Sequence, residues 1–176
     1  EVIFLMDRFG YAKTVDRATY ERNREAADSE NKYVISCLNT GKLCSFTADG
    51  KMHQVKVLDL PFGKFRDKGI PIDNPSNYSS SEEEIVFISS LLALKDKKLL
   101  FVTKASMLKQ VDGCEFDVSK RTTAATKLNP EDTLLGITPV SEQDTLVMQS
   151  EKNMFLRIAV SEIPQKKKAA VGVRGM

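Results

Sequence analysis

At 176 residues the chain is the size of one domain, able to bury about 70 per cent of the surface that its unfolded form exposes. Its 41% hydrophobic and 28% charged content is that of a globular protein, and its longest apolar runs, Ile85 to Ile88 and Leu99 to Val102, are far too short to span a bilayer. With 26 Lys and Arg against 24 Asp and Glu the net charge is +2, so only the placement of charge, not its total, can argue for a nucleic-acid partner.

In chain order, Glu1-Val2-Ile3-Phe4-Leu5 lacks the basic region and cleavage site of a secretory leader. The first β-rich unit runs from Phe4 to Val15 with its turn at Gly10. Ala18 to Glu30 has no sustained apolar stripe and is read as a polar loop or short helix between blades. The second unit runs from Cys44 to Val55 and turns at Asp49-Gly50, a strong hairpin pair. It is followed by Leu58-Asp59-Leu60-Pro61, a basic stretch from Lys64 to Gly69, and an acidic insertion, Ser79-Ser80-Ser81-Glu82-Glu83-Glu84, read as a flexible loop. A new apolar strand begins at Ile85.

The third unit, Leu100 to Val111, turns at Ser106, which fits a tight turn less well than glycine and calls for a different turn type. The connector Glu115 to Val118, the basic pair Lys120-Arg121 and the strand Asp132 to Ile137 follow. The fourth unit, Val147 to Ile158, turns at Asn153 and precedes Val160 to Pro164, Lys166-Lys167-Lys168 and Val171 to Gly175. The chain stops at Met176 in what reads as mid-strand, so it is expected to be a piece of a longer protein. The turns at Gly10, Gly50, Ser106 and Asn153 are 40, 56 and 47 residues apart, near the roughly 40–50 residues of a four-stranded blade, with the Ser/Glu insertion in the longest interval. Hairpin, connector, basic stretch and strand in that order argue for an all-β protein with blades arranged radially.

Little chemistry competes with this reading. Cys37, Cys44 and Cys114 form no C-x-x-C pair and are expected to be buried or half-buried reduced thiols. His53 occupies the place of Lys13 and Lys109 in the neighbouring units and is expected on a strand surface, with no nucleophile or acid to make it catalytic. Phe46, Phe87, Phe101 and Phe155 are expected in the core, and Tyr11, Tyr20, Tyr33 and Tyr78 are given no catalytic role.

Phe9-Gly10-Tyr11-Ala12-Lys13-Thr14, Gly50 to Pro61, Lys68-Gly69-Ile70-Pro71-Ile72-Asp73-Asn74 and Val171 to Met176 resemble blade motifs of the C-terminal domain of bacterial type IIA topoisomerase A subunits. The resemblance covers essentially the whole chain. It implies a β-pinwheel, a propeller-like disc whose blades exchange strands, with about four blades of four-stranded antiparallel sheet at 1–42, 43–94, 95–140 and 141–176, as a closed disc or an incomplete arc. It also implies double-stranded DNA along a positive outer rim and a bacterial, nucleoid-associated cytoplasmic setting. The remainder of the A subunit and a B subunit would be partners, and ATP and Mg would bind elsewhere in the intact enzyme, with no cofactor or catalytic residue in this piece. In gyrase the A subunit has a Gln-Arg-Arg-Gly-Gly-x-Gly box in the first blade; here Tyr20 to Ala27 has no glycine pair, which favours topoisomerase IV over gyrase. Two alternatives stay open, a gyrase wrapping domain and a propeller that binds protein.

Cations repeated once per blade would lie as a ladder against phosphates, releasing counterions without reading bases. The candidates are Lys13 and Arg17; Lys64, Arg66 and Lys68; Lys120, Arg121 and Lys127; and Lys166, Lys167, Lys168 and Arg174. Taken singly, each is equally well a solvated edge lysine or arginine that discourages aggregation.

Overall fold

A computed structural model describes residues 1–176. β1 (Val2–Asp7) and β2 (Tyr11–Asp16) form the first hairpin, followed by α1 (Arg17–Arg22), α2 (Arg24–Glu30) and β3 (Asn31–Cys37). The second hairpin is β4 (Lys42–Thr47) with β5 (Lys51–Lys56), followed by β6 (Ile70–Pro71), β7 (Ile85–Ser90) and α3 (Leu91–Leu94). The third is β8 (Lys98–Thr103) with β9 (Met107–Asp112), followed by β10 (Thr122–Ala124) and β11 (Leu134–Val140). β12 (Thr145–Gln149) with β13 (Phe155–Ala159) is the fourth, and β14 (Val173–Arg174) closes the order.

All four hairpins turn by one device. The residue in the tight position has positive φ: Gly10 at 86°, Gly50 at 84°, Ser106 at 62° and Asn153 at 58°. Each donates its amide to the carbonyl three residues back, on Asp7, Thr47, Thr103 and Ser150. The side-chain oxygens of those four residues then accept from the amides of Tyr11, Lys51, Met107 and Met154, at 3.0 to 3.2 Å. Ser106 therefore takes the same turn as the glycines rather than a different one, because the Thr103 hydroxyl closes the turn around it.

Three sheets are four-stranded, in the orders β3-β1-β2-β6, β7-β4-β5-β10 and β11-β8-β9-β14, and the fourth is the two-stranded β12-β13 hairpin. The short strand that follows each later hairpin is donated backwards: β6 pairs with β2, β10 with β5 and β14 with β9. This is a β-pinwheel with exchanged strands. The exchange means that no four-stranded sheet is contiguous in sequence, and the fourth blade has two strands where four were expected.

The hairpin strands of the second and third blades are apolar on both faces because a neighbouring blade stacks on each side of them. Val2, Phe4 and Met6 of β1 face the second blade, packing with Leu43, Val55, Ile85 and Ile88. On β4, Cys44 and Phe46 point the other way, toward Leu99, Phe101 and Phe116 of the third blade. Leu100 and Leu108 meet Met148 and Ile163 on the fourth. These clusters join the blades in series without closing a ring. The far side of the first blade, Ile3, Leu5 and Val15, is covered by Ala27 and Tyr20 of the helix pair. The Ala18–Glu30 segment is thus helical, with Asp16 capping α1 at 2.7 Å, and it lies on the face of the first blade rather than between blades.

Candidate nucleic-acid interface

Each donated segment leaves its own hairpin through a 3-10 turn, Val57–Asp59, Gly113–Phe116 or Val160–Glu162, in which Val57, Phe116 or Val160 is buried, the first two within the clusters between blades. It then runs along the second strand of the preceding hairpin. Thr14 donates its amide to Pro61 at 2.8 Å, Gln54 to Arg121 at 2.8 Å and Gln110 to Pro164 at 3.0 Å, the same contact in three blades. The basic stretches therefore all lie on one equivalent sheet edge, each on the blade before the one whose hairpin precedes it in sequence: Lys64, Arg66 and Lys68 on the first, Lys120 and Arg121 on the second, Lys166 to Lys168 and Arg174 on the third.

In the first and third blades the donated segment bulges before it pairs, and a lysine lies beneath the bulge. Lys13 Nζ donates to the carbonyls of Phe65 and of Asp67, the latter at 2.6 Å, and sits 5.1 Å from the Phe65 ring centroid. Lys109 Nζ donates to the carbonyls of Lys167 (3.2 Å), Lys168 (3.0 Å) and Ala170 (2.6 Å), 5.4 Å from the Phe101 ring centroid. Lys109 is 1% exposed, and burial pulls its ammonium down to about 8. Each bulge closes on a glycine: a Cβ at Gly69 would stand 2.3 Å from the Ala12 carbonyl, and one at Gly172 2.5 Å from that of Leu108.

The second blade has no bulge, and there the same strand position holds His53. It is buried, with Nδ1 2.9 Å from the Thr122 hydroxyl and Nε2 2.9 Å from Glu83. His53 is therefore not the surface residue expected of it. Glu83, in the acidic insertion, is pinned by His53, by Lys51 at 3.5 Å and by the Ser79 amide at 3.0 Å. Burial acts to raise its pKa, but the His53 and Ser79 hydrogen bonds outweigh this and keep it below the ordinary carboxylate value.

The remaining candidates differ in freedom. Lys64, Arg66, Lys120, Lys127, Lys167 and Arg174 are exposed and form no salt bridge. Lys68 lies 4.2 Å over the Tyr11 ring, and Lys168 donates to the Glu115 carbonyl at 3.2 Å. Arg17 pairs with Glu1 at 3.3 Å at the start of α1, and Lys13 is engaged under the first bulge. Among the thiols, Cys37 and Cys44 are buried but Cys114 is exposed, against expectation. No helix is long and apolar enough to cross a membrane.

The architecture matches solved structures across its whole length. The crystal structure of the C-terminal domain of DNA topoisomerase IV superposes with a TM-score of 0.84 over 99% of this chain and 56% of that one, at 21% identity. The E. coli ParC C-terminal domain gives 0.76 over 96% and 69%, at 15% identity. The DNA gyrase A C-terminal domain gives 0.62 over 99% and 60%, at 16% identity. A family model described as DNA gyrase C-terminal domain, beta-propeller, matches residues 97–141 and 144–176. The fold is that of the C-terminal domain of type IIA topoisomerase A subunits. The DNA gyrase A subunit of Lawsonia intracellularis is 28% identical to this pinwheel over 188 residues, covering 100% of it and 23% of the relative. That of Neisseria gonorrhoeae is 28% identical over 172 residues, covering 89% and 18%. The pinwheel therefore spans about a fifth of the length of these curated relatives.

Proposed function

We propose that this pinwheel binds and bends duplex DNA without sequence preference along its donated edge, and presents it to the catalytic core of a type II topoisomerase. The observation that carries this reading is the recurrence of exposed cations without salt-bridge partners on one equivalent edge in three successive blades. Such an arrangement suits phosphates spaced along a curved duplex, whose bending over 20–30 base pairs costs on the order of 1–6 kcal/mol and is offset by ion pairing to the backbone. The strand passage itself, with ATP and Mg, belongs to the rest of the A subunit and to the B subunit.

Within this class we favour a topoisomerase IV-type arm. Supporting it are the superposition on the topoisomerase IV domain and the α1–α2 pair, which occupies the segment where a glycine-rich wrapping box would stand in gyrase. The gyrase A relatives favour the alternative, a wrapping domain of gyrase. Both share the DNA edge. The test is fluorescence anisotropy of a duplex of about 40 base pairs across roughly 50 to 200 mM salt, where the log–log slope counts the phosphates engaged. A steep linear loss of affinity, independent of sequence, is expected. Absence of binding at the lowest salt would overturn the reading.

A further inference from the structure

The last cross-strand pair of each hairpin differs in charge from blade to blade. It is Val2 opposite Asp16 in the first, Lys98 opposite Asp112 in the third and Thr145 opposite Ala159 in the fourth. In the second blade it is Lys42 opposite Lys56. Like charges directly across a sheet destabilise it. Elsewhere the position is spent locally: Asp16 caps α1, Asp112 accepts from the Gln165 amide, and Lys98 pairs with Glu142 at 3.6 Å. Lys42 and Lys56 have no such partner.

Beside this pair the donated segment of the same blade adds a third cation. Lys42, Gln54, Lys56, Asp59, Ser119 and Arg121 line one pocket of about 260 Å³ with no apolar residue among them. Arg121 Nη2 donates to the Pro75 carbonyl at 2.7 Å and Gln54 Nε2 to that of Val118 at 2.8 Å, so both walls are fixed by the backbone. Three cations, one carboxylate (Asp59) and one hydroxyl (Ser119) thus line the same pocket.

We infer that this pocket is a seat for a phosphate-class anion, occupied by a phosphodiester of duplex DNA. The inference rests on the DNA-binding reading above and adds Lys42, Lys56 and Ser119 to the interface. A bound phosphate relieves the Lys42–Lys56 repulsion, and the second blade, which lacks the lysine-anchored bulge of its neighbours, would contact the backbone through this seat instead.

Lys56→Asp tests it, because it installs the acid that Asp16 and Asp112 supply at the same position in folded blades, so the thermal midpoint is expected to hold. Duplex affinity should fall roughly tenfold or more, with a log–log salt slope shallower by about one contact. Inorganic phosphate, titrated against the labelled wild-type chain and followed by NMR, should shift the Gln54, Lys56, Ser119 and Arg121 resonances. Weakened duplex binding by Lys56→Asp supports the seat, with or without shifts by free phosphate. Phosphate shifts with duplex binding left at the wild-type level overturn the DNA occupant. If Lys167→Ala weakens duplex binding while Lys56→Asp neither weakens it nor alters phosphate shifts, the seat is refuted and the edge reading stands. Failure of the wild type to bind duplex at any salt refutes the edge reading itself.

Discussion

Lys109 holds a charge among backbone carbonyls and a phenyl ring, and what it stabilises is the shape of the Lys166–Ala170 loop rather than a ligand. Lys109→Met would leave three carbonyls without their donor, a cost of about 1–3 kcal/mol, and would loosen the loop that presents Lys167. The buried ammonium also makes stability depend on pH. Lys109 sits at about 8 in the folded chain, against about 10.4 for a free lysine. Between these values the unfolded state holds more of the proton, so stability rises as pH climbs from about 8, and the cost of burying the charge stands in full below it. The urea midpoint of the wild type should therefore gain on that of Lys109→Met across this range, whereas parallel profiles would contradict the assignment. Thiol chemistry gives a second check. Burial pushes Cys44 up to about 12, so iodoacetamide on the native chain should label Cys114 and spare Cys37 and Cys44. The positions of Lys13, His53 and Lys109 are legible as equivalent in the sequence, but their burial is not. Their partners lie on segments about 30 to 70 residues away, which no local pattern reveals.

At the scale of elements, the hairpins are readable because each combines two β-rich runs with a turn residue tolerant of positive φ. The closing side chain three residues earlier, Asp7, Thr47, Thr103 or Ser150, varies in type and forms no visible motif, which is why Ser106 reads as unsuited to its turn. A left-handed residue other than glycine carries strain of about 1–2 kcal/mol, so Ser106→Gly should raise the denaturation midpoint modestly while Ser106→Val lowers it. The blade interfaces follow from strands apolar on both faces. Phe46 stands at the centre of one, with ring centroids of Phe116, Phe87 and Phe101 at 5.0, 5.7 and 6.3 Å. Phe46→Ala should cost about 3–5 kcal/mol by chemical denaturation. A loss under about 1 kcal/mol would mean that the second and third blades do not depend on this packing. Strand donation cannot be read locally, since β6 and β14 are only two residues long and pair backwards across a whole hairpin.

For the whole molecule, that backward pairing turns a near-neutral chain into one with a charged edge. It moves each basic stretch onto the edge strand of the preceding blade, so cations from separate stretches of sequence recur at equivalent positions in three blades while the acidic insertion is tied to the second blade through Glu83. The family resemblance anticipates the rim, but Lys42 and Lys56 do not stand out in the sequence because they lie in the hairpin rather than in a basic run. The central claim is that DNA lies along the donated edge. The measurement that tests it most directly is the NMR footprint of a duplex on the labelled chain at low salt. Perturbations confined to residues 62–70, 118–127 and 164–174, together with Lys42 and Lys56, are predicted. A footprint on the opposite edge, β3, β7 and β11, or on the exposed Val147 and Phe155 of the fourth hairpin, would contradict it.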